Sequence, residues 1–419
     1  MSALARMFLE EGKQISGSDI TESEITKSLE KLGAKIFIAQ RQENLPADAD
    51  LVIYTLAIGE DNPELIKAKK LGLPTLTYAE ALGEVSRGKF TIAISGTNGK
   101  TTTTAMVAKI LIDAGFDPTV IVGSLAHFEN QDGGEESSNF RAGKSDFLVV
   151  EACEYKRSFL NLNPDILVIT NIDNDHLDYY KDLSDIQSAF IELAQKIPED
   201  GYLVSDIDNP NIEPVAEAVE RNMIDYKDLS LGAVKLTLKV PGEHNVLNAK
   251  AALAVAAILE IDTKNAAGSL EEFEGTWRRF EYKGKTKKGA LVYDDYAHHP
   301  TEIKATLSSA REKFPDKKII VVFQPHLYSR TKILFKDFSS AFGDASQVIL
   351  VPIYGAREPE DKSVSLEELA EEISKKGTAA EYVSSLSASA ALLQKYGEGD
   401  LIITMGAGDV YNLLDEIIH

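Results

Sequence analysis

The sequence predicts an α/β protein of three domains, residues 1–88, 89–276 and 277–419. Strand-length apolar runs alternate with segments of helical periodicity, the pattern of parallel strands joined by helices. The alternation comes in three series, opening near Leu4, Thr91 and Ala290. At the head of the second, Gly96-Thr97-Asn98-Gly99-Lys100-Thr101 directly follows the apolar run Thr91-Ile92-Ala93-Ile94-Ser95.

In the first series a helix is expected over Leu4 to Glu11, a strand near Gln14 to Ser16, a helix over Ser23 to Leu32, strands at Lys35 to Ala39 and Leu51 to Tyr54, and a helix from Pro63 to Lys70. That rhythm implies a parallel sheet flanked by helices. The second series has strands at Thr91 to Ser95, Phe147 to Glu151 and Ile166 to Thr170; Met106, Val107, Ile110 and Leu111 mark a helix over Thr101 to Ala114. The third has strands at Leu291 to Tyr293, Lys318 to Phe323, Val348 to Pro352 and Leu401 to Met405, with helices over Thr301 to Lys313, Leu366 to Lys375 and Val410 to Ile417. No internal repeat or low-complexity tract interrupts them, and Asp132-Gly133-Gly134-Glu135-Glu136 is the expected flexible loop.

The glycines of the 96–101 segment let several backbone N–H groups turn toward one anion, Lys100 adds a point charge, and Thr101 offers a hydroxyl to Mg²⁺. Ile94 stands where the longer GxxxxGK[ST] form has its first glycine. A chance GxxGK[ST] is expected in only about one or two such chains per hundred. With a strand before it and a helix after it, the segment reads as an ATP site rather than a Gly-rich turn with a solvated lysine.

Composition narrows the partners. A chain of 419 residues with 44% hydrophobic content can bury the cores of two or three domains. Acidic residues outnumber basic ones 66 to 44, a formal charge of −22, with no basic stripe, so nucleic acid is not an expected partner. Apolar runs are strand-length and no signal-like run follows Met1, which predicts a cytoplasmic protein with no membrane partner. The single Cys153 excludes internal disulfides, in keeping with a reducing compartment.

Five of the seven histidines stand in dense polar clusters. His176 lies in Asn171-Ile172-Asp173-Asn174-Asp175-His176, His244 in Gly242-Glu243-His244-Asn245-Val246-Leu247-Asn248, His298 and His299 in Asp294-Asp295-Tyr296-Ala297-His298-His299, and His326 in Gln324-Pro325-His326-Leu327-Tyr328-Ser329-Arg330. All but the His244 cluster follow an apparent strand, where open α/β sheets gather ligands.

The loop Ser95 to Thr104, the Glu151-Ala152-Cys153-Glu154 strand end, the segments Asn171 to Tyr180 and Gly242 to Asn248, Arg278-Arg279-Phe280, Asp294 to Glu302, Gln324 to Thr331 and Thr404 to Asp409 resemble the Mur ligases of peptidoglycan synthesis over nearly the whole chain. The resemblance implies a Rossmann-like N-terminal domain for a UDP-substrate, a central P-loop ATPase-like domain and a Rossmann-like C-terminal domain. It implies that ATP and Mg²⁺ are used to join L-alanine to the lactyl carboxylate of UDP-N-acetylmuramic acid through an acyl phosphate. By the same resemblance Gly96, Thr97, Asn98, Gly99, Lys100, Thr101 and Thr102 cradle the phosphates; Thr101, Glu151 and His176 hold metal; His244, Asn245 and Asn248 shape the adenine pocket. Arg279 reaches the γ-phosphate, Asp295 contacts nucleotide, and Tyr296, His298, His326 and Arg330 form the amino-acid pocket. Lys100, Glu151, His176, Arg279 and His298 are thus the expected catalytic set, with Glu154 open between a supporting role and a solvated one.

Several positions depart from the family pattern. Leu327 stands where many relatives carry arginine, which makes Arg330 the expected partner of the alanine carboxylate. Ser188-Ala189-Phe190-Ile191-Glu192 lacks the lysine that other branches carbamoylate, favouring the alanine-adding branch. The family's first strand and Gly-rich turn have no counterpart before Met1-Ser2-Ala3-Leu4, so a truncated N-terminal domain is expected, with Ser18 and Asp19 remaining to face the UDP-sugar. The alternatives are a ligase that recycles murein tripeptide and a catalytically impaired nucleotide-binding relative; a monomer or weak homodimer is expected.

Overall fold

The computed structural model describes residues 1–129, 135–176, 179–356 and 358–418. Two compact units divide the chain: Met1–Thr237 with Leu247–Glu272, and Leu238–Val246 with Phe273–His419.

The first unit is organised by a seven-stranded sheet in the order Asn222–Asp225, Tyr202–Ser205, Ile166–Ile169, Phe90–Ser95, Phe147–Glu151, Thr119–Glu129, Glu135–Arg141. All neighbours are parallel except the last pair, an antiparallel hairpin. Thr91 to Ser95 are buried, as a parallel strand covered on both faces requires. Helix Lys100–Asp113 buries Met106, Val107, Ile110 and Leu111, the apolar positions its periodicity marks. No pattern in the sequence marks the hairpin, and residues 132–134 of the expected flexible loop lie outside the described residues; Glu135 and Glu136 open a strand instead.

Residues 1–88 differ from expectation. In place of one parallel sheet there are two separate parallel pairs, Ser16–Asp19 with Lys35–Ile38 and Val52–Tyr54 with Thr75–Thr77. Periodicity specifies strands of three or four residues, but sheet continuity needs a neighbour at both edges, and no strand among the described residues joins the pairs. The helices carry the segment: Ser23 caps Glu24–Lys31 and Thr77 caps Tyr78–Ser86, each by a reciprocal capping box. Ala3, Leu4, Ala81 and Leu82 share one core with Leu148, Val150, Leu167 and Phe190 of the central sheet and its helices, so this segment packs as part of the first unit.

The second unit carries a six-stranded sheet in the order Glu281–Lys285, Leu291–Asp295, Asp400–Met405, Lys318–Phe323, Gln347–Leu350, Ala379–Tyr382, with only the first strand antiparallel. Apolar cores cover both faces, around Phe323 and Phe338 on one and Val322 and Leu413 on the other. The helix expected over Val410 to Ile417 begins as a 3₁₀ turn, Val410–Leu413, before α-helix Leu414–Ile417. No helix among the described residues is long and apolar enough to cross a membrane.

Candidate active site

Strand Phe90–Ser95 lies between Ile166–Ile169 and Phe147–Glu151, so three carboxyl ends adjoin where the glycine-rich loop departs. Gly96 has φ +129° and a Cβ there would stand 2.2 Å from Thr170 Oγ1. Gly99 has φ +84° and its Cβ would stand 2.4 Å from Asn248 Oδ1. Glycine is therefore required at both, for backbone angle and for space. Asn171 clasps the loop from the neighbouring strand end: its carbonyl accepts Thr97 N–H at 3.0 Å, its Oδ1 accepts Asn98 N–H at 2.9 Å, and its Nδ2 donates to Asn98 O at 3.0 Å. Thr170 donates to the same Asn98 carbonyl at 2.6 Å. The loop is thus fixed by its neighbours, and helix Lys100–Asp113 begins behind it with no side-chain cap, the arrangement that receives phosphate.

Charge gathers at the helix start. Lys100 Nζ donates to Gly96 O at 2.6 Å, Thr97 O at 3.1 Å and Glu154 Oε1 at 3.1 Å, so its three protons are all engaged. Glu154 is 2% exposed; His176 Nε2 lies 3.5 Å from the same Oε1, while Oε2 has no partner among the described residues. Burial would push the Glu154 carboxyl up, but Lys100 and His176 hold it below the usual carboxylate range. Burial likewise opposes the Lys100 ammonium, and Glu154, Cys153 and Glu151 outweigh it and raise its pKa. Three residues earlier, at the last position of its strand, Glu151 Oε2 accepts the Thr101 hydroxyl at 2.9 Å and the Gly123 N–H at 2.8 Å. A Cβ at Gly123 would meet the Glu151 carboxylate at 2.7 Å, so Gly123 exists for closeness rather than for backbone angle.

The turn bearing Glu154 is strained. Lys156 and Arg157 have φ of 52° and 56°, and His176 has φ 53°, all left-handed for residues with a Cβ. Arg157 is held by Asp185 and Ser188, each at 2.9 Å, and by Glu192, all on helix Leu183–Ala194. Tyr180 donates to Glu154 O at 2.5 Å, and the Tyr155 ring lies 4.8 Å from that of His176. Packing and ion pairs thereby fix a backbone that local preference would not choose. The Thr101 hydroxyl meets the Glu151 carboxylate, and the His176 imidazole meets Glu154; hydroxyl, carboxylate and imidazole are side chains that could hold a hard divalent cation.

The second unit holds its own cluster. Strand Leu291–Asp295 delivers Tyr296 and His298, and His299 caps helix Pro300–Lys313 through a capping box with Glu302. Glu302 Oε2 accepts His298 N–H at 2.9 Å and His299 N–H at 3.1 Å, and lies 3.3 Å from His298 Nδ1; Oε1 stands 3.5 Å from Arg279 Nη1. Burial opposes this carboxylate, but His298, Arg279 and the two amides bring its pKa down to about 2. The rings of His298 and His326 are 5.9 Å apart, and Arg330 Nη1 lies 3.1 Å from His326 Nδ1. Burial first, then His298 and Arg330, lower His326 to about 4, so its ring is neutral at pH 7 with Nδ1 accepting from the guanidinium. Leu327, with φ 71° and ψ 134°, turns the chain between His326 and the helix that carries Arg330.

Family models agree with this geometry. "Mur ligase family, catalytic domain" matches residues 1–90, "Mur ligase middle domain" residues 94–230, and "Mur ligase, glutamate ligase domain" residues 278–408. The chain belongs to the Mur ligase family. This Mur ligase is 45% identical to a UDP-N-acetylmuramate–L-alanine ligase of Clostridium kluyveri, over 99% of this chain and 94% of that one. It is 42% identical to a ligase of the same name from Caldanaerobacter subterraneus subsp. tengcongensis, over 100% and 95%. The crystal structure of the Thermotoga maritima UDP-N-acetylmuramate-alanine ligase MurC superposes with a TM-score of 0.81 at 30% identity, covering 99% of this chain and 95% of that one. A murein peptide ligase of Psychrobacter arcticus, at 24% identity and a TM-score of 0.72, shares the fold.

Within the first unit of this Mur ligase, Glu151 meets the Gly96 to Thr101 loop at Thr101 and His176 meets it through Glu154, the partner of Lys100, with Asn248 against Gly99 and Thr102 buried in the helix's first turn. Tyr296, His298, His326, Arg330 and Arg279 come together in the second; the Arg279 guanidinium lies 5.2 Å from the Tyr296 ring centroid. Helix Glu243–Ile258 bears His244, Asn245 and Asn248, of which the first two count with the second unit and Asn248 with the first. Burial, then Arg279, lowers the His244 imidazole, and Asn245 donates to Pro241 O at 2.7 Å.

Asp295, expected to contact nucleotide, is 4% exposed and spends Oδ1 on Ala297 N–H and the Thr306 hydroxyl and Oδ2 on Phe280 N–H. Burial drives it up to about 6 against the pull of Arg279. Ser18 donates to Glu64 at 2.7 Å and Asp19 accepts from Ile20 N–H at 2.7 Å, so both are engaged locally. The sequence alone leaves Glu154 open and does not single out Gly123 or Glu302 as site residues. Glu302 had a signal, the capping spacing His299-x-x-Glu302. Gly123 had none, because only strand adjacency brings it to Glu151.

Proposed function

We propose that this chain is an ATP-dependent ligase that joins L-alanine to the lactyl carboxylate of UDP-N-acetylmuramate. The carrying observation is the gathering of Lys100, Thr101, Glu151 and His176 at three adjacent strand ends around a glycine-pinned loop. A carboxylate oxygen takes the γ-phosphoryl group and ADP leaves; the alanine nitrogen then attacks the acyl carbon, sheds a proton, and phosphate departs. Two anions must meet for the first bond to form, so positioning and charge neutralisation dominate the barrier.

In this reading the loop amides and Lys100 bind the β- and γ-phosphates, and Asn248 borders the nucleoside side of the loop. Thr101, Glu151 and His176 would hold Mg²⁺, which when bound draws charge from the phosphates. The remaining assignments rest on the family resemblance: Arg279 acts on the transferred phosphoryl group, and His298, Tyr296, His326 and Arg330 receive alanine. The neutral His326 and cationic Arg330 suit an amino-acid carboxylate beside an amine that must lose a proton. The names carried by the Clostridium and Caldanaerobacter relatives support the same substrates.

The test is ADP release with ATP, Mg²⁺ and UDP-N-acetylmuramate, with and without L-alanine. Release that needs both the UDP-sugar and alanine is expected. Release with murein tripeptide but not alanine would reassign the acceptor, and none with either would mark a nucleotide-binding protein without turnover.

A further inference from the structure

Glu154 is the one charged group of the phosphate-loop cluster with a buried atom left unsatisfied. Its side chain is 3% exposed, Oε1 serves both Lys100 and His176, and Oε2 has no partner among the described residues. A buried carboxylate with a bare oxygen is costly unless something other than stability keeps it. It faces the only lysine of the loop, whose other two protons go to the carbonyls of Gly96 and Thr97. An ammonium with three acceptors has no proton to offer a phosphate, so binding must break at least one of these bonds. The two carbonyls belong to the loop itself, whereas Glu154 comes from another strand end and carries the opposing charge.

The geometry points to Glu154 as a positioning residue that parks Lys100 while the loop is empty and releases it to polyphosphate, holding His176 through the same oxygen. The inference rests on the loop binding ATP, as proposed above. It has two consequences of opposite sign. Release leaves Glu154 buried with less compensating charge, and that cost is subtracted from nucleotide affinity. In return His176 stays held on the same oxygen after Lys100 has gone to the phosphates, which serves turnover.

Glu154→Gln keeps shape and removes charge. Without metal, its Kd for ADP is expected to fall on the order of ten-fold, one nearby unit charge removed from a partly screened site, while kcat falls by a similar factor. The gain in affinity should shrink when Mg²⁺ is saturating. Glu154→Asp keeps the charge and withdraws the oxygen, so affinity should stay near wild type while kcat drops. A glutamate with a merely structural role gives the other result, weaker binding with Gln, and that outcome or an unchanged Kd overturns the inference. Should the Gln variant not fold, the wild-type protein still decides: in its crystal structure with ADP and no metal, Lys100 Nζ should stand more than about 4 Å from Glu154, outside ion-pair range. A pair still closed with phosphate bound overturns the inference. If wild type binds no ADP at all, it is the ATP reading that fails.

Discussion

Glu154 and Glu302 occupy matching places in the two compact units. Each lies between a cation and a histidine, Lys100 and His176 in the first unit, Arg279 and His298 in the second. Their second oxygens differ. Glu302 uses one oxygen for Arg279 and the other for two backbone amides, so it is a joint in the chain as well as a counter-charge. Glu154 shares one oxygen between two side chains and leaves the other bare. Glu302 is thereby tied to its fold, while Glu154 is tied mainly to groups that a ligand would claim.

The largest effect should come from the backbone that supports Glu154's partner. Gly96→Ala drives a Cβ to 2.2 Å from Thr170 Oγ1 at a left-handed φ, so ADP binding by calorimetry should be lost, by roughly a hundred-fold or more. Retained binding would mean the loop is less rigid than its clasp implies. Glu302→Ala should cost about 3 kcal/mol in urea unfolding, because it removes the counter-charge beside His298 and Arg279 and the acceptor of two amides together; Glu154→Gln should cost far less, and equal losses would erase the contrast.

Acid tests the same pair. With its folded pKa near 2, below the ordinary carboxylate value, Glu302 contributes stability that is full above about pH 4.5 and lost as pH falls toward 2, on the order of 3 kcal/mol. Glu302→Gln should flatten that part of the stability profile. Arg330→Ala should raise the KM for alanine about ten-fold and spare that for ATP, a partition that ties the second cluster to the amino acid. The smallest change is Leu327→Gly, which relieves a φ of 71° and should add about 1 kcal/mol or less to stability by thermal unfolding.

The phosphate loop was legible because its chemistry is local: glycine, lysine and threonine within six positions, with a strand before and a helix after. The third series of strands and helices was legible for the same reason, since period and burial coincide along Lys318–Phe323 and Leu366–Lys375. What escaped depends on which strands lie side by side. Gly123 meets Glu151 only because strand Thr119–Glu129 is the neighbour of Phe147–Glu151. The burial of Glu154 is likewise set by Tyr180 and His176 from a distant segment, and no spacing around position 154 reports it. The two short strand pairs of residues 1–88 repeat the lesson: local pattern gave strands and parallel partners, and continuity between pairs is not a local property.

Arg157 carries a consequence beyond this one chain. Its left-handed backbone persists because its guanidinium is anchored by Asp185, Ser188 and Glu192, three positions on one helix that together replace what glycine would supply by conformation alone. Lineages that lose the acidic residues at 185 and 192 should also lose arginine at 157, with glycine or asparagine the replacement best suited to the turn.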